Sequence, residues 1–467
     1  MVKIPDVDAN DTAAISAAYP ISLKQRVFAA GLWRLAAYVM SQGIRFGSNL
    51  LMTRLLVPEM FGVMAIAMMV FVGLQLFSDV GLRQSIIQSK RGDDPVFLNT
   101  AWVIQISRGL TLCVIAVAIA FLIFFLNSIG WIPKESVYAN PTLPYVIGVL
   151  SIIAVIDGFQ STKLFEASRH LRLGQVTKIE LTAQLFGLAI MFGWVLVDRS
   201  IWALVAGTIC SLAATCVMSH AWLPGVANRW CWNRAASKEI VHFGKWILIS
   251  SILGFLVSSG DRLLLGGLVD PSVLGIYIIA FSMYGAIEQL VTKMISDIMF
   301  PALSEVIRDR PENLKQSYYR LFMVAASSVY FCAGVLMISG HAIIEILYDH
   351  RYWQAGWMLQ TLAMGLFAVP FYVTAICFLA LGQSRLFSHL IAIRAVVLFL
   401  LIPLGFHLFG MQGALVGLVI SYFSSLPVTL FFMIRNHLFD WRKELLPLSA
   451  GLAGILLAEG FNMVVGL

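Results

Sequence analysis

Charge is what this sequence has least of. Asp, Glu, Lys and Arg make up 12% of its 467 residues, where a soluble domain carries about a quarter. Hydrophobic residues make up 59%, and the mean hydropathy is +0.85. A soluble globular chain is thereby excluded. Nothing in residues 1–26 resembles a cleavable leader: they hold Asp6, Asp8 and Asp11 but no apolar core, so the first long hydrophobic run is expected to stay as a signal anchor. The six cysteines form no CxxC and no Cys/His cluster at ligand spacing, which argues against a metal site or a disulfide framework. Cys113, Cys210, Cys216, Cys332 and Cys377 read as small core residues and Cys231 as a loop thiol. There is no Walker A run, so ATP hydrolysis is not expected, and no cofactor is expected. The net charge of +7 is spread over alternate connections, with no soluble module long enough to hold nucleic acid.

What is present is a succession of apolar runs, each near the ~20 residues that cross a bilayer. They fall at 27–52, 60–82, 98–126, 143–163, 176–197, 201–222, 243–268, 274–299, 318–340, 355–381, 386–408, 411–433 and 446–467. Basic residues cluster in every second connection: Lys24 and Arg26, Lys90 and Arg91, Lys163 to Arg172, Arg229 to Lys238, Arg308 to Lys315, Arg385, and Arg435 to Lys443. The opposite connections hold only Arg54, Lys134, Arg199 and Arg351 as clear basic residues. The positive-inside rule makes the basic side, and the N-terminus, cytoplasmic. The last run carries Glu459 and no flanking charge, which leaves open whether it spans, lies at the interface or belongs to a shortened chain.

Displacing the chain by 213 positions against itself brings Gly31 onto Gly244, Trp33 onto Trp246, Pro58 onto Pro271, Gly62 onto Gly275 and Arg172 onto Arg385. Six spans per half is an even number, so both copies enter from one face and their pseudo-two-fold axis runs along the membrane normal. The expected fold is an all-α polytopic membrane protein of two six-helix bundles plus one extra C-terminal hydrophobic segment. Its parts are a cytoplasmic tail (1–26), an N-terminal bundle (27–222), a cytoplasmic linker (223–242), a C-terminal bundle (243–433) and an extension (434–467).

Two arginines sit inside the first run. Arg34 and Arg45 are 11 residues apart, which at 100° per residue puts them on one face about 16 Å apart. Tyr38, Ser41 and Ser48 share that face. An arginine at mid-membrane costs about 2.5–3.5 kcal/mol on insertion scales, so such residues turn to a wet cavity or a partner rather than to lipid. Arg108, with Gln105 and Thr111, adds a third cation in this half. In the other half the positions matching Arg34 and Arg45 are Ile247 and Ser258, and Arg394 lies in the eleventh run. These four arginines are the candidate lining of an anion-handling lumen, since guanidinium matches phosphate and keeps its charge. Among the intramembrane acids Asp79, Asp157, Glu180, Asp261, Glu288 and Asp297, several have local explanations. Lys293 and Asp297 are spaced to pair, Asp261 adjoins Arg262, and Asp79 precedes a helix exit. Glu288 has no basic residue one turn away and is the candidate for ion coupling. Asp93 and Asp94 precede Pro95 and read as a helix cap rather than a metal site.

The segment TRLLVPEMFGVMAIAMMVFVGLQLFSDVGLRQSIIQ at 53–88, followed by LNTAW at 98–102, resembles the N-terminal half of bacterial polysaccharide flippases. These form the polysaccharide transporter branch (Wzx-type oligosaccharide flippases and exopolysaccharide exporters) of the multidrug/oligosaccharidyl-lipid/polysaccharide exporter superfamily. The resemblance implies two helical bundles around a lumen and a polyprenyl-pyrophosphate-linked oligosaccharide carried from the cytoplasmic to the outer leaflet of the inner membrane. It implies, as partners, the lipid-linked substrate, the bilayer and a polysaccharide polymerase or export machinery. Arg34, Arg45 and Arg108 would then neutralise the pyrophosphate. A multidrug exporter and a peptidoglycan-precursor flippase of the same fold are alternatives. The former needs an acidic, aromatic cavity. A membrane glycosyltransferase or polymerase is disfavoured, because the outward connections are too short for a catalytic loop, and no enzyme activity is expected.

Overall fold

Two prolines mark where the halves of this protein meet. In the computed structural model of the chain, the backbone is described for residues 23–465 apart from 79, 80, 90 and 171. Side chains are described for the same residues apart from 23–37, 88, 173, 241–250, 461, 464 and 465. Asp79 and the side chains of Arg34, Trp33 and Trp246 therefore lie outside the described residues.

The helices of the first half are α1 (Leu23–Leu55), α2 (Pro58–Phe77), the short α3 (Leu82–Gln88), α4 (Pro95–Ser128), α5 (Leu143–Gly158), the short α6 (Lys163–Arg169), α7 (Leu173–Val197) and α8 (Trp202–Ala221). The second half has α9 (Arg234–Leu268), α10 (Pro271–Asp309), α11 (Leu314–Leu347), α12 (Ala355–Ala380), α13 (Ser384–Phe423) and α14 (Leu426–Arg435). After these come the five-residue α15 (Trp441–Leu445) and α16 (Leu448–Val465). Among the described residues there is no strand. Nine described helices are long and apolar enough to cross a membrane. The count is ten if α5 and α6, bent by 58°, make one span.

The ends follow local chemistry. Pro58, Pro95 and Pro271 sit in first turns, where a missing N–H costs nothing. Asp94 caps α4 by accepting from the Val96 amide at 2.9 Å, as its sequence position suggests. Asp270 caps α10 through the Ser272 and Val273 amides. Pro370 interrupts α12 with a six-residue 3-10 segment, Leu366–Phe371. α13 is folded on itself at Phe409 and Gly410, whose φ of 61° favours glycine. A Cβ on Gly405 would lie 2.2 Å from the Gly413 carbonyl oxygen, so residues 384–408 and 411–423 form a tight antiparallel hairpin. This break falls between the eleventh and twelfth apolar runs. α16 lies alongside α11, with Gly451 against Gly334 and Gly454 against Phe331.

α2 and α10 cross through equivalent glycines. A Cβ on Gly62 would stand 2.0 Å from the Pro271 carbonyl oxygen, and a Cβ on Gly275 would stand 1.9 Å from that of Pro58. The contact is the same read from either side, as a two-fold axis between Gly62 and Gly275 requires.

Reciprocal loops reinforce this end of the molecule. Between α4 and α5, Ser136 caps the single turn Val137–Ala139 and donates to the Gly266 carbonyl of α9 at 3.0 Å, while the Tyr138 hydroxyl donates to Leu263 at 3.1 Å. Between α11 and α12, Asp349 caps the turn His350–Tyr352. There Arg351 donates to the carbonyls of Thr53 at 3.0 Å and Arg54 at 3.3 Å, and Tyr352 donates to Leu56 at 3.4 Å. The 213-residue displacement carries Ser136 onto Asp349 and Thr53 onto Gly266. Each half thus lays one turn over the carbonyl end of the other half's first helix.

At the opposite, basic end, residues 222–233 are strapped to the first half. Arg229 and Asn233 amides donate to Asn99 and Thr100 side chains, and Asn228 bonds Ser161 and Thr162. Asn233 then caps α9.

Candidate functional site

α1 carries the charged stripe. Its Tyr38 hydroxyl donates to Gln289 of α10 at 3.2 Å, and its ring lies under Lys293 with the ammonium 4.4 Å from the ring centre. Ser41 donates to Gln184 of α7 at 2.7 Å. This face of α1 therefore turns to protein on both flanks, as the cost of charge in lipid demands. Arg45, seven residues beyond Tyr38 and about 20° from it in projection, is exposed on the same face. Tyr38 is within electrostatic reach of both Arg45 and Glu288, so the seam between α1 and α10 holds charge from both halves. Among the described residues Lys293 makes no ion pair with Asp297, the partner its spacing suggests, and its ammonium lies over the Tyr38 ring across the seam.

Arg108 is placed elsewhere. Its Nε donates to Ser78 Oγ at 2.9 Å and its Nη2 to the Gln75 carbonyl at 2.8 Å. The Gln75 side chain in turn donates to Asp157 at 3.1 Å, and Gln105 donates to the Asp157 carbonyl at 2.7 Å. These contacts tie the C-terminal end of α2, the middle of α4 and the end of α5 together inside one half. The structure thus gives Arg108 intralobe partners and does not bring it to Arg45. Outside the membrane, Asp93 meets Arg169 and His170, and Arg91 meets Asp94. Charge-assisted hydrogen bonding from Arg91 holds the Asp94 carboxyl below the usual carboxylate range.

Glu288 and Arg394 come together. Both line a cavity of 380 Å³ enclosed by α9, α10, α12, α13 and α14, with Tyr284, Tyr372, Phe387 and Tyr422 on its walls. The Arg394 guanidinium lies 4.4 Å from the Tyr422 ring centre, and its Nε is buried without a hydrogen-bond partner. Tyr284 and Tyr422 stack at 5.8 Å. Behind them, Tyr277 donates to Asp261, and Arg262 sits 4.7 Å from the Phe281 ring centre and 4.0 Å from Asp261. Two acids and two arginines therefore share one region of the second half. Tyr277, Phe281, Tyr284, Glu288 and Thr292 recur at intervals of three and four on α10, a stripe visible in the sequence. Tyr372 and Tyr422 come from separate helices and gave no such signal.

A protein family described as "Polysaccharide biosynthesis protein" matches residues 51–357. The lipopolysaccharide biosynthesis protein WzxC of Escherichia coli (strain K12) is 22% identical over 343 residues, 71% of this chain and 65% of that protein. An uncharacterized membrane protein in the cps region of Klebsiella pneumoniae is 23% identical over 312 residues, 65% of this chain and 60% of that one. The chain thus spans less than two thirds of either relative. Two of the solved structures that share the fold cover most of this chain. One is the lipid II flippase MurJ in an inward closed conformation, with TM-score 0.70, 11% identity, and coverage of 93% of this chain and 92% of that one. The other is an inward-facing multidrug resistance MATE family transporter of the MOP superfamily, with TM-score 0.66, 15% identity, and coverage of 86% and 94%.

Proposed function

The chain belongs to the polysaccharide biosynthesis protein family, and from that premise we propose that it is a flippase. It moves a polyprenyl-pyrophosphate-linked oligosaccharide from the cytoplasmic to the outer leaflet of the bacterial inner membrane, for exopolysaccharide or O-antigen biosynthesis. It works by alternating access between its two halves and is a transporter rather than an enzyme. The N-terminus is cytoplasmic, which makes the end bearing Pro58 and Pro271 periplasmic, and the delivered glycan passes to a polymerase or export machinery.

The observation that carries this reading is the exposed Arg45, on the face of α1 that meets α10 beside Glu288. A guanidinium kept in the seam between two halves is suited to a diphosphate that must cross there. Arg34, about three helical turns closer to the cytoplasm on the same stripe, would meet the same group on entry, and Arg394 lines the second-half cavity. Arg108 supports the first half from within. Glu288 is the candidate ion-coupling carboxylate. A multidrug exporter fits the acid and aromatics of the second-half cavity, but Arg394 inside it opposes a cationic cargo.

The test is leaflet accessibility of the polyprenyl-linked oligosaccharide in cells lacking this chain. Inner-leaflet accumulation relieved by the wild type and not by Arg45→Ala is the expected result. An unchanged distribution on deletion, in a strain with no second flippase, refutes the reading.

A further inference from the structure

The cavity of the second half combines features that a phosphate site would not. Glu288 and Arg394 line it together, with opposite charges. A phosphate placed there gains Arg394 and is repelled by Glu288, while a cation meets the reverse. A neutral polyol uses both, its hydroxyls donating to the carboxylate and its oxygens accepting from the guanidinium. The buried Nε of Arg394 has no hydrogen-bond partner in the chain, an unmet donor on a side chain that lines the cavity.

The walls point the same way. The Tyr284–Tyr422 pair and the Tyr372–Phe387 pair, with ring centres 5.8 Å and 6.4 Å apart, line the cavity. An aromatic face carries negative potential and attracts polarised C–H groups, such as those on one face of a pyranose. Ser258 and Ser425 are small polar residues of the same lining. A volume of 380 Å³ lies near the low end of the roughly 300–1,000 Å³ of small-ligand sites, room for one or two sugar rings and not for a whole repeat unit.

We infer that this cavity is a sugar-recognition subsite, in which a neutral pyranose of the glycan stacks on the aromatic wall and bridges Glu288 and Arg394. The inference rests on the cargo carrying a glycan, and it divides the labour: the diphosphate is met by α1 and the sugar by the second half. A proton on Glu288 would remove one acceptor for the sugar, which lets the same carboxylate couple an ion to cargo release.

Saturation-transfer difference NMR on the purified full-length chain tests this. The probes are the methyl pyranosides of glucose, galactose, mannose, rhamnose and N-acetylglucosamine, with inorganic pyrophosphate as competitor. The expected result is saturation of at least one neutral pyranoside, reduced at least tenfold in Glu288→Gln and Tyr372→Ala, retained in Tyr372→Phe, and undisturbed by pyrophosphate. The Phe variant separates loss of the ring from loss of the fold. The inference is overturned if no pyranoside is saturated by a wild type that restores export in cells, if the signal survives both variants, or if pyrophosphate displaces the sugar. A wild type that saturates a pyranoside but restores no export overturns the flippase reading and leaves the subsite standing.

Discussion

Adding one methyl group at Gly275 tests the crossing of α2 and α10. In Gly275→Ala the new Cβ would start 1.9 Å from the Pro58 carbonyl oxygen, where unstrained contact begins at 3.4 Å, so the two helices must part by about 1.5 Å. The obstacle is backbone and cannot rotate away. Overpacking of this kind costs about 1–3 kcal/mol. If the strain is confined to the sealed state, the equilibrium moves about 5–150-fold toward a state open at this end. The readout is labelling of Ser258→Cys, in a chain stripped of its six natural cysteines, by a membrane-impermeant maleimide applied from the periplasm. Labelling is expected to accelerate at least fivefold in Gly275→Ala. Gly62→Ala, whose Cβ meets Pro271 at 2.0 Å, should do the same, and the double variant should add little because both wedge one gap. Unchanged labelling in folded, membrane-inserted variants would show that the glycine crossing does not hold this end shut.

Arg351→Ala removes the donor to the Thr53 and Arg54 carbonyls. It should raise the same labelling by a smaller factor, about two- to fivefold, since a partly exposed charge-assisted contact is worth about 1 kcal/mol. Arg45 and Arg108 should separate by phenotype. Arg45→Ala is expected to abolish export with stability within about 0.5 kcal/mol of wild type, whereas Arg108→Ala should cost about 2–3 kcal/mol by stranding the Ser78, Gln75 and Asp157 network, read as a lower thermal midpoint in detergent. Outside the membrane, burial pushes the Glu444 carboxyl up to about 7 beside Tyr319, its hydrogen-bond donor at 3.0 Å. The folded state thus favours the protonated form. Its contribution is complete below the ordinary glutamate pKa and is lost as pH rises through about 7. Glu444→Gln should stabilise the chain at pH 8 by up to about 2 kcal/mol, allowing for partial solvent access, and have no effect near pH 4. Equal stabilisation at both pH values would refute this.

Much of the scaffold could be read before any coordinates. Apolar runs record where lipid is, and the division between 386–408 and 411–433 matches the hairpin at Phe409 and Gly410. The repeat made Pro58 and Pro271, and Gly62 and Gly275, equivalent before the structure brought them into contact. What a run does not record is which neighbour a face meets, because in a bilayer the lipid-facing and packed sides of a helix are both apolar. Arg108 looked like its fellow arginines for that reason, and its contacts with Ser78 and with Gln75 of α2, whose side chain is tied to Asp157 of α5, distinguish it. The second-half cavity was half visible. Glu288 and Arg394 stood out as charges in apolar runs, but the tyrosines joining them come from three helices.

The contact between equivalent glycines has a consequence for descent. A patch that meets its own copy about a two-fold axis is self-complementary, so a half-length chain bearing one Pro-x-x-x-Gly step would have the surface of a symmetric dimer. In such a dimer every substitution is felt twice, and a cation and an aromatic pocket could not be placed on opposite sides of one cargo. Joining the copies in a single chain lifts that constraint. Position 45 is arginine in one half, while its counterpart Ser258 lines the cavity of the other. The glycines keep the two-fold symmetry where the halves meet, and positions away from that contact are free to differ.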